Sequence, residues 1–474
     1  MAAKSSKELL SDIRQGLAMS KAERLRLIVS LSVPGILAQL SAIVMFFIDA
    51  SMVGHLGEKA TAAIGLVETS TWLMGGLGSA VSMGFSVQVA HFIGANDLVN
   101  ARRVLRQSLV CSMLWSLMLC LFGIAIHRRL PFWLGGTPDI APDASAYFLI
   151  VGLSGFLFQM EGLAGSMLKC SGNMKVPSVL NVMMCVLDVG FNYLFIYVMG
   201  MGVMGAALGT GLAELLTAVL MLYFLLFRSD ILSLLGKERL KPKNEKYCHQ
   251  QDGKGSFCPT SDVVTTAFKI GAPMGLQHLL MGGAQIVSTI IVAPLGTVAI
   301  AANSLAITVE SLCYMPGYGI AEAATTLAGQ SIGAGQRLLT QSFARMSVAL
   351  GMTIMTLMGA LIFVFAPELM SIMSPVGAIV SEGAQALRIE AFAEPMFAAA
   401  IVCNGVFVGA GDTLVPAAMS LPSMWAVRLP LAAWLAPVYG LKGVWTAMAV
   451  ELTFRGTVFL VRLFKGNWNK KLVG

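Results

Sequence analysis

The sequence specifies an all-α membrane protein of twelve transmembrane helices arranged as two parallel six-helix repeats, and three observations carry that reading. Hydrophobic residues make up 56% of the 474 and charged residues only 12%, with a mean hydropathy of +0.77. Soluble domains carry about 25% charge, and no soluble core of this length absorbs so much apolar surface, so lipid is the solvent for most of the chain. Apolar runs long enough to cross a bilayer alternate with short polar loops. Finally, the second half of the chain repeats the first at a fixed offset.

The apolar runs fall at 30–53, 60–92, 104–126, 145–168, 176–198 and 205–227, then at 266–293, 299–331, 340–365, 380–408, 415–437 and 443–465. Hydropathy collapses between Arg228 and Asp262, where a charged stretch without periodicity reads as a flexible linker. The expected organisation is an N-terminal segment at 1–29, an N-lobe of six spans at 30–228, the linker at 229–262, a C-lobe of six spans at 263–467, and a tail at 468–474. Within 1–29, Leu9, Leu10, Ile13 and Leu17 recur at helical spacing with no cleavage-type site after a short apolar run. They predict an amphipathic helix lying on the inner membrane surface.

Lysine and arginine set the orientation. Lys4, Lys7, Arg14, Lys21, Arg24 and Arg26 precede the first span, and Arg102, Arg103, Arg106, Lys169, Lys175, the linker and Lys465, Lys470 and Lys471 fall on the same side. This bias places both termini in the cytoplasm of a multi-pass protein of the inner cell membrane, with His127-Arg128-Arg129 as the exception. The net charge of +7 therefore reports topology and no nucleic-acid partner. The eight cysteines lie mostly singly within spans; only Cys248 and Cys258 share a loop, and the surroundings of His249 lack zinc spacing. No HExxH, no Ser/His pair and no phosphate-binding glycine loop is present, which argues against an enzyme, and no metal site is expected. The 49 glycines suit close helix contacts in lipid, and the 30 methionines suit core packing.

The repeat is visible residue by residue. An offset of 239 relates Pro34 to Pro273, Gly57 to Gly296, Ala60 to Ala299, Leu66 to Leu305, Thr69 to Thr308, Gly78 to Gly317, Ile93-Gly94-Ala95 to Ile332-Gly333-Ala334, Gly172 to Gly411 and Pro177 to Pro416. The register then slips by one, pairing Gly202 and Gly205 with Gly440 and Gly443. Six spans per repeat make the two copies parallel, an arrangement that places a substrate site near the bilayer midplane between the halves.

Acidic residues inside spans are the functional candidates, because burying one in hydrocarbon costs about 2.5–3.5 kcal/mol on insertion scales. Asp49 lies 15 residues past Pro34, about 22 Å along a helix, in the outer part of the membrane. Asp188 shares a helical face with Asn181, seven residues before it, and Asn192, four after it. Such a stripe coordinates a cation through oxygens, holds a proton, or simply bonds a neighbouring helix. Gln39 is a weaker polar candidate on the first span. In the C-lobe, Gln285, Glu310, Glu322, Glu390 and Glu394 lie within spans; Glu322, flanked by small residues, suits a helix lining a cleft, Glu394 follows it, and Gln39, Gln285, Glu322 and Glu394 are the expected substrate-cavity residues. Glu68, Glu161, Glu214 and Glu451 are further intramembrane acids, and at least half of the acids within spans are expected to cap, pair or sit at the interface. Pro34 removes a backbone hydrogen bond and lets the first span bend, and Gly94 and Gly333 read as helix stops.

With these residues in view, the chain resembles the multidrug and toxin extrusion (MATE) family of antiporters. The match rests on PxxxxQ…D…VGHLG at 34–57, its echo ending in APLG at 293–296, SGNMKVP at 171–177, AGQSIGAG at 328–335 and GAGDTLVP at 409–416. The resemblance implies a V-shaped pair of six-helix lobes that exports amphipathic, often cationic, compounds in exchange for H⁺ or Na⁺, with no other cofactor. It implies that Asp49 and Asp188 carry the coupling ion, with Pro34 as the bending point. The family's asparagine four residues before the second aspartate is Met184 here, and the glutamate that the NorM branch carries in the seventh span falls on Met281. The N-lobe site is therefore similar to that of the DinF branch. Small molecules and the lipid bilayer are the expected partners of a monomeric chain. The alternatives are a lipid-linked precursor flippase of the same superfamily, which requires a cationic cavity although Arg428 is the one clear intramembrane cation, and a membrane-embedded enzyme.

Overall fold

The computed structural model describes residues 4–234, 257–465 and 468–469, and among these the regular structure is helical throughout. Cys248, His249 and most of the linker, together with Lys470 and Lys471, lie outside the described residues. The helices are α1 (Ser6–Gln15), α2 (Lys21–Gly54), α3 (Glu58–Gly94), α4 (Leu98–Ile126), the single turn α5 (Leu130–Trp133), α6 (Ala141–Cys170), α7 (Lys175–Tyr193) and α8 (Gly202–Tyr223). After the linker come α9 (Ser261–Val292), α10 (Thr297–Gly333), α11 (Arg337–Met373), α12 (Gly377–Glu390), α13 (Glu394–Gly409), α14 (Leu414–Pro422), α15 (Leu429–Tyr439) and α16 (Leu441–Lys465).

Ten of these are long and apolar enough to cross a membrane singly, and α12 with α13, bent by 61°, makes an eleventh crossing. The twelfth is the continuous helical run of α14, a π-helical turn at Ser423–Arg428 and α15, whose four prolines and Arg428 dilute its hydropathy. The sequence offset of 239 is also the offset of the elements: α3 and α10 each have 37 residues and begin and end in register. The fifth span of each repeat contains a π-helical turn, at Leu194–Val198 and at Ser423–Arg428. Gly94 and Gly333 end their helices, and the left-handed residue that turns the chain follows two positions later, as Asn96 and Gly335. Leu114, Leu117, Leu121 and Phe122 on α4 stay exposed, as a face turned to lipid requires.

By packing, the chain divides inside two helices. One unit comprises residues 1–40 with 276–472, the other residues 41–275. Each unit is built on five spans of one repeat together with parts of α2 and α9. In the first unit the opening half of α2 crosses α10 at backbone contact: a Cβ on Gly319 would lie 2.8 Å from the Gly35 carbonyl carbon, so only glycine fits there. Ile36 joins the cluster of Ile320, Ala324, Val402 and Val406. In the second unit the start of α9 is held by Gln88, which donates to the Val263 carbonyl (3.2 Å), and by Arg103, which bonds Thr260 and Asp262.

The N-terminal helix corrects an expectation. Leu9, Leu10 and Ile13 on α1 are buried by the protein itself, so its apolar face is not laid on lipid. Ser6 bonds Ser30 on α2, Lys4 pairs with Asp12 (2.8 Å), and Gln336 donates to the Ile13 carbonyl. The same residue pattern that makes a helix amphipathic for a membrane makes it amphipathic for a protein surface, and composition does not distinguish the two. Both α1 and α2 open with a serine–glutamate capping box, Ser5 with Glu8 and Ser20 with Glu23.

Candidate functional site

The most concentrated polar geometry lies in the unit of residues 41–275, where α7 carries Asn181, Asp188 and Asn192 on an otherwise apolar helix. The Asn192 side-chain nitrogen donates one hydrogen to Asp49 Oδ1 (3.0 Å) and the other to Asp188 Oδ2 (3.1 Å). One amide thus bridges the carboxyl groups of α2 and α7. The carboxyl groups also lie within hydrogen-bonding reach of each other, and Asp188 faces the Thr210 hydroxyl of α8. Asp188 is 0% exposed and Asn192 2%, while Asp49 is half-buried.

Two acceptors in this cluster, Asp188 Oδ1 and Asn192 Oδ1, are buried with no hydrogen-bond partner among the described residues. Buried acceptors are ordinarily satisfied, and a group that is not calls for a proton, an ion or water. The donor set is all oxygen, from two carboxyls, an amide and a hydroxyl, which suits a proton or a hard cation such as Na⁺. Gly209 on α8 makes room for this arrangement, because a Cβ there would overlap the Asn192 amide oxygen and lie 2.9 Å from its backbone nitrogen. Sequence reasoning passed over Gly209 and Thr210, although the small residues Gly205 and Gly209, four apart, mark a close helix contact.

Asn181 does not join this cluster. In the orientation that satisfies its neighbours, its amide donates to Glu161 Oε1 on α6 (3.2 Å) and to the Pro177 carbonyl (3.0 Å). Seven residues along a helix restore the angular face but separate the groups by about 10 Å, so a shared face is not a shared site.

The other unit gathers a different set. Gln39 on α2 donates to Glu322 on α10 (3.4 Å), close to the Gly35–Gly319 crossing. Glu394 opens α13 at the break after α12 and lies with Glu390 and Glu310, all nearly fully buried. Gln285 is exposed on α9 and joins neither group. Pro34 is accommodated inside α2, which stays helical from Lys21 to Gly54. Glu451 pairs with Arg455 (2.9 Å) and accepts from Ser423, while Glu68 accepts from Trp72 at an exposed position. The Arg455 pair is the i, i+4 spacing of ELTFR, a signal present in the sequence and not used. An open depression of about 380 Å³ is lined by Phe47, Ile48, Ser51, Met52, His55 and Tyr197, a mainly apolar and aromatic wall that does not include Asp49.

Comparison with known proteins places this geometry in a context. A family model described as MatE matches residues 34–194 and again 273–434, the same two stretches that the offset relates. A probable multidrug resistance protein NorM of Thermotoga maritima is 26% identical over 90% of this chain and 89% of its own length. The multidrug resistance protein MdtK of Yersinia pseudotuberculosis is 23% identical over 92% and 94%. Among solved structures, an outward-facing multidrug resistance transporter of the MATE family superposes with a TM-score of 0.86 at 20% identity, covering 98% of this chain and 100% of that one. A Pyrococcus furiosus transporter, whose reversed pocket polarity its description takes to suggest a different function, superposes at 0.85 with 19% identity and 98% coverage of each chain.

Proposed function

This chain belongs to the MatE family of multi-pass membrane transporters, and from that premise we propose that it is a multidrug efflux antiporter. It exports amphipathic, often cationic, small molecules in exchange for H⁺ or Na⁺. The observation that carries this reading is the single Asn192 amide bonded to both Asp49 and Asp188, beside acceptors that have no partner among the described residues. Uptake of a proton or Na⁺ at this cluster neutralises it, favours release of a bound cation, and removes the cost of a buried charge as α2 bends near Pro34. Each net charge carried inward per cycle adds about 2.3 kcal/mol per 100 mV of membrane potential, roughly fifty-fold, so the potential helps where more positive charge enters than leaves and adds nothing to a one-for-one exchange of cations. The relatives named for multidrug resistance support the substrate class. We read both termini as cytoplasmic from the placement of basic residues, 30–228 and 263–467 as the two functional repeats, and the active chain as a monomer.

The reading is tested by Asp49→Asn, assayed for efflux of a fluorescent cation from inverted vesicles under an imposed ΔpH and then an imposed Na⁺ gradient. Coupled efflux is expected to disappear at wild-type expression, and undiminished efflux would sink the proposal. A flippase for lipid-linked pyrophosphates needs free cations in the interior. Among the described residues Arg455 and Arg462 are paired with Glu451 and Asp412, and the Arg428 guanidinium rests on the Met424 and Met448 thioethers. The antiporter reading is the better supported.

A further inference from the structure

Three more groups lie along the helices that form the Asp49–Asp188 cluster, nearer the end that carries Lys169 and Lys175. Glu161 on α6 accepts from Asn181 of α7, and Glu214 on α8 is 1% exposed with Glu161 and Asp188 as the carboxylates that face it. Glu214 stands four residues, one turn, beyond Thr210, whose hydroxyl faces Asp188. The order is therefore Asp49 and Asn192, then Asp188 and Thr210, then Glu214, then Glu161 with Asn181. All of it lies within the unit of residues 41–275.

The hydrogen-bond inventory of this column is short of hydrogen. Glu214 Oε1 and Asp188 Oδ1 are both buried and both lack a donor among the described residues. The donors that face these carboxyls are the Asn192 amide, the Thr210 and Tyr147 hydroxyls and the Cys185 thiol; none of them reaches Asp188 Oδ1 or Glu214 Oε1 among the described residues, while Asn181 directs its hydrogens to Glu161 and the Pro177 carbonyl. A carboxylate is an acceptor only, so facing carboxylates without donors are satisfied when one of them holds a proton. A metal cation fits less well at Glu214, because the Asn181 amide turns its N–H toward Glu161 and supplies no oxygen there.

We propose that Glu214 and Glu161 form a second proton-holding station, through which the coupling proton passes between the Asp49–Asp188 cluster and the lysine-bearing end of the same lobe. This rests on the antiport reading above. The transfers conserve charge and atoms: a proton leaves the Asp188 carboxyl for Glu214 as Thr210 reorients, then moves to Glu161, and no other reactant is needed.

The test uses the full-length protein in proteoliposomes with ethidium as the probe, measuring ΔpH-driven transport and, separately, ethidium counterflow without a pH gradient. Glu214→Gln and Glu161→Gln keep the shape and the hydrogen-bonding reach of the side chain but hold no transferable proton. Each is expected to lower ΔpH-driven transport at least tenfold while counterflow stays within twofold of wild type. Wild-type rates in both assays would overturn the station. Loss of both assays in every variant would assign these residues to packing and would equally overturn it, as would wild-type transport that follows Na⁺ and ignores ΔpH. Asp49→Asn run alongside separates the two ideas. If Asp49→Asn is inert, the coupling reading itself fails, whereas if it abolishes transport and the glutamine variants do not, only the second station fails.

Discussion

At the scale of single residues, Asn192 is the point on which the proposed chemistry turns. Its amide has two N–H groups, and each goes to a different carboxyl on a different helix. A hydrogen bond to a charged group contributes about 1.5–3 kcal/mol, so Asn192→Ala is expected to reduce coupled efflux by about ten- to a hundredfold. The Gln variant, which keeps both donors on a longer stem, should recover part of that loss. Efflux rates at matched expression check both, and a full-rate Ala variant would remove Asn192 from the mechanism. The carboxyl residues were legible in the sequence because charge inside a span is costly. The bridging pattern was not, because it depends on where α7 turns against α8, and that is set by the absence of a side chain at Gly209.

Among elements, α1 shows how a surface helix acquires a tertiary role. Burying Leu9 and Ile13 contributes about 1.5–3 kcal/mol each, enough to hold a ten-residue helix that would not persist alone in water. The Leu9→Asp/Ile13→Asp double variant should therefore release α1 and free the partly buried Arg24 at the start of α2, accelerating tryptic cleavage there at least tenfold. Unchanged cleavage would show that α1 is not held by this face. The capping boxes add a pH dependence. Hydrogen bonds from the backbone N–H groups of Ser5 and Ser20 hold Glu8 and Glu23 below the usual carboxylate range. Their contribution is present above the unfolded carboxylate pKa and is lost as pH falls through the lower folded value, so acidification into that range should loosen α1, read as lower hydrogen-exchange protection of its amides. The hydrophobic spacing of α1 was readable in the sequence, but its destination was not. Amphipathicity states that a face will be covered, and the cover is decided by surfaces far away in the chain, here around Gln336 and Ser30.

For the whole molecule, the repeat was the most legible feature, since one number, 239, governs motifs, helix ends and the two family matches alike. Similar folds nevertheless accommodate pockets of opposite polarity, as the Pyrococcus furiosus relative's description indicates, so the fold does not dictate which lobe carries charge. In this chain the asymmetry is specific. At offset 239 Asp49 corresponds to Ser288; Asp188 and Asn192 lie past the last match at that offset and fall on Val427 and Leu431 at 239 or on Ala426 and Pro430 at 238, so in either register the second repeat lacks both carboxyls and the amide that joins them. Its buried acids, Glu310, Glu390, Glu394 and Glu451, occupy other positions, on α10, at the α12–α13 break and on α16. It follows that restoring one member does not restore a site. Ser288→Asp placed in an Asp49→Asn background should leave coupled efflux at the level of Asp49→Asn alone, because in neither register does the second repeat supply the carboxyl and the amide that Asp188 and Asn192 provide. Recovery of more than about a tenth of wild-type efflux in that double variant would show that the lobes are interchangeable for coupling, and would move the ion switch from one lobe to the symmetric frame that both share.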